Sequence, residues 1–326
     1  MKISVIIPVY NAAPFVRKAV ESALDQPEVG EVILIDDGGP DESLSVCKSL
    51  ESEFEKVRLF THANNVNLGA GLTRNVGIEN AKYDYIAFLD ADDYYLPDRF
   101  RAERTIFAEK PETDGVYGAA GRHYYSEDER ARYRKLGTLE LVTTKRHIPP
   151  EELFETMLSL RPSHGFITLD TLTVKRSVFD NVGRFTDTVL HEDTEILFKL
   201  AYFCKLEPGE LDEPVSMIGV HYRNRISRDE RGSRKKEIMY ERLMEWSIRE
   251  RLPEKYQNAF RTHRQAARIK RSNPVTAAGL YFIESVRNPM FRKYPTFFYS
   301  TLDHMFGGRI TRMRRKFKKP DIGNTF

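Results

Sequence analysis

Four apolar runs, ISVII (3–7), EVILID (31–36), VRLF (57–60) and YIAFLD (85–90), alternate with segments of helical period along the N-terminal part of the chain. Continuous apolar runs of this length read as strands buried on both faces. Their alternation with helices predicts a mostly parallel sheet covered by helices, an α/β fold. Helix starts are marked by Pro14 before FVRKAVESAL, by Asp41 before ESLSVCKSL, and by Pro97 in the first turn of DRFRAERTIFAEK. Ligands of such sheets sit outside the carboxyl ends of the strands, which singles out Asn11, Asp36, Asp37, Asn67 and Asp90. From about Tyr117 to Pro150 the pattern breaks into a polar stretch rich in Tyr and Arg. A helix PEELFETMLSL, a strand TLTVK, a helix HEDTEILFKLAYFC and, after Pro214, a strand VSMIGVHY then read as a smaller mixed layer. From Ser233 onward the chain is helical and basic, with breaks at Pro253 and Pro274. The domains expected are 1–230, with halves over 1–118 and 119–230, and a helical extension over 231–326.

Composition narrows the class. With 40% hydrophobic and 30% charged residues, the 326-residue chain is globular in character, with one sizeable core and an appendage. Cys47 and Cys204 lack metal-ligand spacing and fall in segments read as helix, which argues against a disulfide framework or a zinc site and fits a reducing cytoplasm. Pro8 and Asn11 end the first apolar run too early for a signal peptide, so it reads as a first strand. No apolar stretch approaches the roughly 18 to 20 residues that span a bilayer. A net charge of +3 argues against general nucleic-acid affinity, yet the charge is unevenly spread. Between Arg287 and Lys319 ten cations are opposed by Asp303 alone, interleaved with Phe291, Tyr294, Phe297, Phe298, Tyr299 and Phe306. That stretch reads either as a peripheral contact with anionic membrane or as a solvated helical face.

Five short segments carry candidate chemistry. In FLDADD (88–93) an apolar strand runs into three carboxylates, Asp90, Asp92 and Asp93. Clustered carboxylates repel, so the arrangement makes sense around a divalent cation, Mn2+ or Mg2+, whose remaining ligands are water and a diphosphate. The competing reading is a helix cap before Pro97. In IDDGG (35–39) the acceptor-only carboxylate of Asp37 suits the imide of uracil, while a plain Asp-Gly turn also explains it. NLGAGLTRNVGI (67–78) sets glycines before a helix start, with Arg74 free to meet a nucleotide or simply a surface. HEDTE (191–195) places Glu192 and Asp193 at a helix N-terminus, where acids are favourable anyway, and where one can serve as general base. In VHYRNRISRD (220–229), His221 is a candidate metal ligand, and Arg223, Arg225 and Ser227 are candidates to grip a diphosphate.

In order and rough spacing, SVIIPVYN, IDDGG, NLGAGLTRN, FLDADD, HEDTE and HYRNRIS resemble the family 2 glycosyltransferases of the GT-A fold, over about residues 2–228. The resemblance implies an inverting transfer from a nucleotide-sugar donor, most often UDP-linked, to a glycan or lipid-linked saccharide acceptor. It implies Pro8, Tyr10 and Asp37 around the base, Asn67 and Arg74 at base, ribose or phosphate, and Asp90 with Asp92 at ribose and metal. It makes 1–118 the nucleotide-sugar-binding half, 119–230 the acceptor side, and Asp193 the base with Glu192 beside it. The segment VKRSVFDNVGRF is expected as a strand and turn walling the acceptor site. Two departures stand out: Gly39 replaces the usual Ser, and His191 stands where a small residue is common. The rivals are a sugar-nucleotide pyrophosphorylase, for which PVYNAAPF lacks the glycine-rich basic loop, and a non-catalytic nucleotide- or glycan-binding module.

Overall fold

The computed structural model describes residues 1–136, 141–144, 146–161, 165–187, 191–222, 232–272 and 274–287. Arg223, Arg225, Ser227 and the basic tail past Arg287 lie outside the described residues. The chain divides into two compact units, Met1–Arg228 and Asp229–Phe326.

The first unit runs β1 (Ile3–Val9), α1 (Val16–Leu24), β2 (Val29–Asp36), α2 (Ser43–Glu53), β3 (Val57–Thr61), α3 (Ala70–Asn80), β4 (Tyr85–Phe88) and β5 (Tyr94–Tyr95). It continues with α4 (Arg101–Glu109), β6 (Gly115–Tyr117), β7 (Ala119–Tyr124), α5 (Glu127–Leu136), α6 (Pro150–Met157), β8 (Leu172–Lys175), α7 (Val178–Val182), α8 (Glu192–Phe203), β9 (Leu206–Pro208) and β10 (Pro214–Val220). A seven-stranded sheet has the order β3-β2-β1-β4-β8-β6-β9. Its first four strands are parallel; β8 runs antiparallel between β4 and β6, and β9 lies parallel to β6. A second sheet, β5-β10-β7, pairs β10 antiparallel to β5 and parallel to β7.

β1 lies at the heart of the large sheet. Ile3, Val5, Ile7 and Val9 share a cluster with Val16, Ala19, Val20 and Ala23 of α1, whose spacing is one helical stripe. Each such fully buried Val, Leu or Ile stabilises by roughly 1.5–3 kcal/mol. The other face carries Ile6 against α3, where Gly77 permits the approach: a Cβ there would sit 2.4 Å from Ile6 Cγ2. β1 and β2 end together, since Val9 pairs with Asp36. This alignment brings the residues after both strands to one edge of the sheet, which is where the candidate chemistry lies.

The polar stretch after Tyr117 contains β7 and α5, and the segment expected as strand and turn opens with the end of β8, as expected, but continues as the helix α7. Its side chains Val178, Phe179 and Val182 are buried at helical spacing, so packing overrides the β-branched composition. The second unit holds α9 (Gly232–Arg249), α10 (Glu254–Arg271) and α11 (Pro274–Arg287). Trp246 of α9 meets Phe260 of α10 edge-on at 6.2 Å, and Tyr240 stacks on His263 at 4.9 Å. Pro253 and Pro274 stand at the starts of α10 and α11, where a missing N–H does no harm. Among the described residues, no helix is long and apolar enough to cross a membrane.

Candidate active site

At the carboxyl ends of β1 and β2 the chain turns sharply. Asn11 takes a left-handed φ of 54° and Gly38 one of 69°. Asp37 is buried, and its two oxygens accept from the backbone N–H groups of Leu68 (2.7 Å) and Gly69 (3.1 Å). Asp37 therefore clamps the loop that starts α3 as well as facing the cavity described below. Gly38 is needed beside it, because a Cβ there would lie 2.3 Å from the carbonyl oxygen of Asn65. Asp36 is buried too; burial pushes its carboxyl above the usual range, opposed by the Gly38 N–H.

After β4 comes the acidic turn. The Asp93 N–H closes it onto the Asp90 carbonyl at 3.0 Å. One oxygen from each of Asp90, Asp92 and Asp93 can be chosen so that all lie within 4.8 Å of one another. Such a set of hard oxygen donors fits Mg2+ or Mn2+, which hold few carboxylates and keep other positions for water and phosphate. Each member is fixed differently. Asp90 receives Arg74 Nη2 at 2.5 Å. Asp92 Oδ2 receives Nε2–H of His221 at 2.9 Å, and the His221 ring stacks on Phe15 at 4.3 Å. Asp93 is buried, accepts the Gly219 N–H at 2.8 Å and has Asp170 beside it. A Cβ at Gly219 would lie 2.1 Å from the Asp92 carbonyl, so β10 can approach the turn this closely only as glycine. Burial, then Asp170, Asp92 and Asp90, hold the Asp93 carboxyl well above its usual range. Burial and Asp90 likewise push Asp170 up to about 7.

Arg74 is buried, with Nη1 3.5 Å from Glu192 and Nη2 on Asp90. Burial alone would lower its pKa; Asp90, Glu192 and Asp193 outweigh that and hold it firmly charged. It thus joins the acidic turn to the start of α8, and its position there rests on Gly71. A Cβ at Gly71 would come 2.6 Å from the Thr186 carbonyl and 3.2 Å from the Glu192 side chain. His191 opens α8 with a left-handed φ of 71°. Asp193 is half-buried, its Oδ1 accepting its neighbour Thr194 N–H at 2.6 Å. Glu195 is buried and spent on Lys199 (2.7 Å) and Thr186 (2.8 Å), a structural role.

A cavity of about 160 Å³ opens at this edge, lined among others by Pro8, Tyr10, Asp37, Asp90, Asp92 and His221. Asn67 is exposed, and neither it nor Arg74, Asp93, Glu192 or Asp193 is part of that lining. His221 stands outside the carboxylate group able to hold an ion, its Nε2 turned to Asp92. Phe15, Gly219 and Asp170 escaped the sequence reading. Asp170 left a signal: a lone acid inside the apolar run ITLDTLTV.

Residues 4–183 match the family model described as glycosyl transferase family 2. An uncharacterized glycosyltransferase of Haemophilus influenzae is 38% identical over 102 residues, 31% of this chain and 40% of that protein. One of Rickettsia felis is 29% identical over 216 residues, 65% of this chain and 33% of that protein. The uncharacterized glycosyltransferase YibD of Escherichia coli is 40% identical over 109 residues, 33% of this chain and 31% of that protein. The matches thus span less than half the length of each of these relatives. In fold, the chain is similar to S. aureus TarS 1-349 in complex with UDP-GlcNAc, with a TM-score of 0.58 at 16% identity over 99% of this chain and 95% of that one. With the family model covering more than half of its length, and the acidic turn and the strand ends beside it inside the match, the chain belongs to glycosyl transferase family 2.

Proposed function

We propose that the chain is an inverting, metal-dependent glycosyltransferase. It moves a hexosyl or N-acetylhexosaminyl group from a UDP-sugar to a hydroxyl of a saccharide or lipid-linked glycan, in the synthesis of cell-surface polysaccharide. The observation that carries this reading is the acidic turn, whose carboxylates gather within 4.8 Å beside a cavity lined by Pro8, Tyr10 and Asp37. The crystal structures of TarS 1-349 with UDP-GlcNAc and with UDP support a nucleotide-sugar donor.

Asp90 and Asp92, with Asp93 behind them, would hold Mn2+ or Mg2+, which when bound stabilises the negative charge growing on the leaving diphosphate. Tyr10, exposed at the cavity, offers a ring face to the base, beside Pro8 and Asp37. His221 keeps Asp92 in place through its Nε2–H, and Arg74 keeps Asp90 oriented. Asn67 is assigned to base or ribose on its sequence position, and Arg223, Arg225 and Ser227 to the diphosphate likewise. At α8, Asp193 takes the proton of the attacking hydroxyl: Oδ1 is held by Thr194, so Oδ2 is the oxygen that receives it. Glu192 is tied to Arg74 and orients the helix start. The acceptor oxygen bonds to the anomeric carbon from the face opposite the diphosphate as the bond to UDP breaks, so UDP leaves in one displacement and the configuration inverts.

A thermal-shift panel of nucleotides and nucleotide sugars, with and without Mn2+, tests the donor class, because mass action stabilises the folded state only for true ligands. A shift specific to UDP compounds and dependent on Mn2+ is expected; an equal response to every nucleotide would sink the donor reading. Asp92→Ala is expected to lose that shift. Asp193→Asn is expected to keep it while turnover drops by about 10² or more. Equal loss of donor affinity in both variants would contradict the two roles. Full turnover in Asp193→Asn would leave the chain without an identified base.

A further inference from the structure

Asp170 is a buried carboxyl group beneath the acidic turn that lines no part of the cavity. It sits in a 3-10 turn, Leu169–Thr171, which leads into β8. β8 runs antiparallel to β4, with Ala87 opposite Thr173, so the residues before β8 pass alongside the residues after β4. Topology therefore delivers Asp170 to the place where β4 becomes the acidic turn.

Its contact secures the start of that turn. Oδ1 accepts the backbone N–H of Asp90 at 2.9 Å. Asp93, at the other end of the turn, accepts the Gly219 N–H from β10. One end of the turn is thus held by its backbone and the other by its side chain. Between them Asp92 is steadied by His221 and faces the cavity. A buried carboxyl group placed beside two other acids is expensive unless hydrogen bonding repays it. Here it meets a backbone donor, the N–H of Asp90. We infer that Asp170 is a positioning residue that presets the acidic turn, so that Asp90 and Asp92 present their oxygens to the cavity before any ligand arrives. The inference rests on the acidic turn being the donor site.

Variants of matched size separate positioning from packing. Asp170→Asn retains an oxygen to accept from the Asp90 N–H. Asp170→Leu fills the same space and has none. Leu leaves the Asp90 N–H without its acceptor, which lowers stability, so folding is measured separately from binding. Melting of each unliganded variant reports folding, and Asp170→Ala takes the place of Leu if that variant does not fold. The probe is the shift in melting temperature as Mn2+ is titrated at fixed UDP, alongside kcat and KM for the donor.

Half-saturation by Mn2+ is expected to rise at least tenfold in Asp170→Leu, with a higher donor KM. In Asp170→Asn it is expected to stay within about threefold of the wild type. Wild-type Mn2+ affinity in Asp170→Leu overturns the inference, and so does an Asn variant as weak as Leu, since the hydrogen bond would then not be what matters. A wild type that itself ignores Mn2+ and UDP overturns the donor-site reading and this inference with it. A responding wild type with indifferent variants overturns this inference alone.

Discussion

Gly39 stands beside the backbone of Asn11, which is itself fixed in the left-handed region at the edge of the cavity. A Cβ at position 39 would lie 2.9 Å from the Asn11 nitrogen, a backbone atom that cannot swing aside. The serine typical of the family would therefore push this turn apart. Gly39→Ser is expected to lower stability by about 1–3 kcal/mol, as over-packing usually does, and to weaken UDP binding in step. Urea unfolding together with the UDP thermal shift checks this; a neutral substitution would mean the two turns are not in tight contact. The acidic turn was legible from sequence because three carboxylates at a strand end are unfavourable without a purpose. The role of Arg74 was not, because its partner Glu192 lies 118 positions away. Local spacing shows an arginine after glycines and cannot show which carboxylates the fold brings to it.

The elements divide the same way. β1, β2, β3 and β4 announce themselves as apolar runs because both their faces are covered. β5, β6 and β9 span only two or three residues, too few for a period to register, and β7 carries polar side chains. β5 and β7 exist through pairing with β10, β6 through pairing with β8, and β9 through pairing with β6, all far away in the chain. At the opposite end of the sheet from the cavity, Glu31 of β2 ties several elements together. It accepts from Ser4 Oγ (2.6 Å) on β1, from Arg58 (2.8 Å) on β3 and from the Lys82 N–H (2.6 Å) before β4. Burial by itself would raise the Glu31 pKa, but these donors outweigh it and hold the carboxyl below its ordinary range. The unfolded chain then binds the proton more readily than the folded one. The stability Glu31 contributes is therefore complete above about pH 4.3, its unfolded value, and drains away as pH falls through the lower folded value. Glu31→Gln is expected to cost about 2 kcal/mol at pH 7, within the range for hydrogen bonds to a charged group. The gap from wild type should close below about pH 4. Denaturant melts at pH 7 and pH 3 measure both; a gap unchanged at pH 3 would show that lost shape, not lost charge, is responsible.

Across the whole molecule, 51 basic residues nearly balance 48 acidic ones, yet ten of the cations crowd between Arg287 and Lys319 with one acid among them. Within the second unit, Phe282, Ile283 and Val286 are exposed on α11, immediately before this basic stretch in sequence. Exposed apolar side chains next to clustered cations match the chemistry of an anionic lipid surface, where each Lys or Arg near the headgroups contributes about 1 kcal/mol. The full chain is expected to sediment with vesicles containing anionic lipid at low salt and to leave neutral vesicles unbound. Raising salt toward 1 M, where charges are screened beyond about 3 Å, should release most of it. A chain ending at Asn273 should stay in solution under every one of these conditions. If the shortened chain sediments as well as the full one, the lipid contact does not reside in the tail, and the cations there form a solvated face.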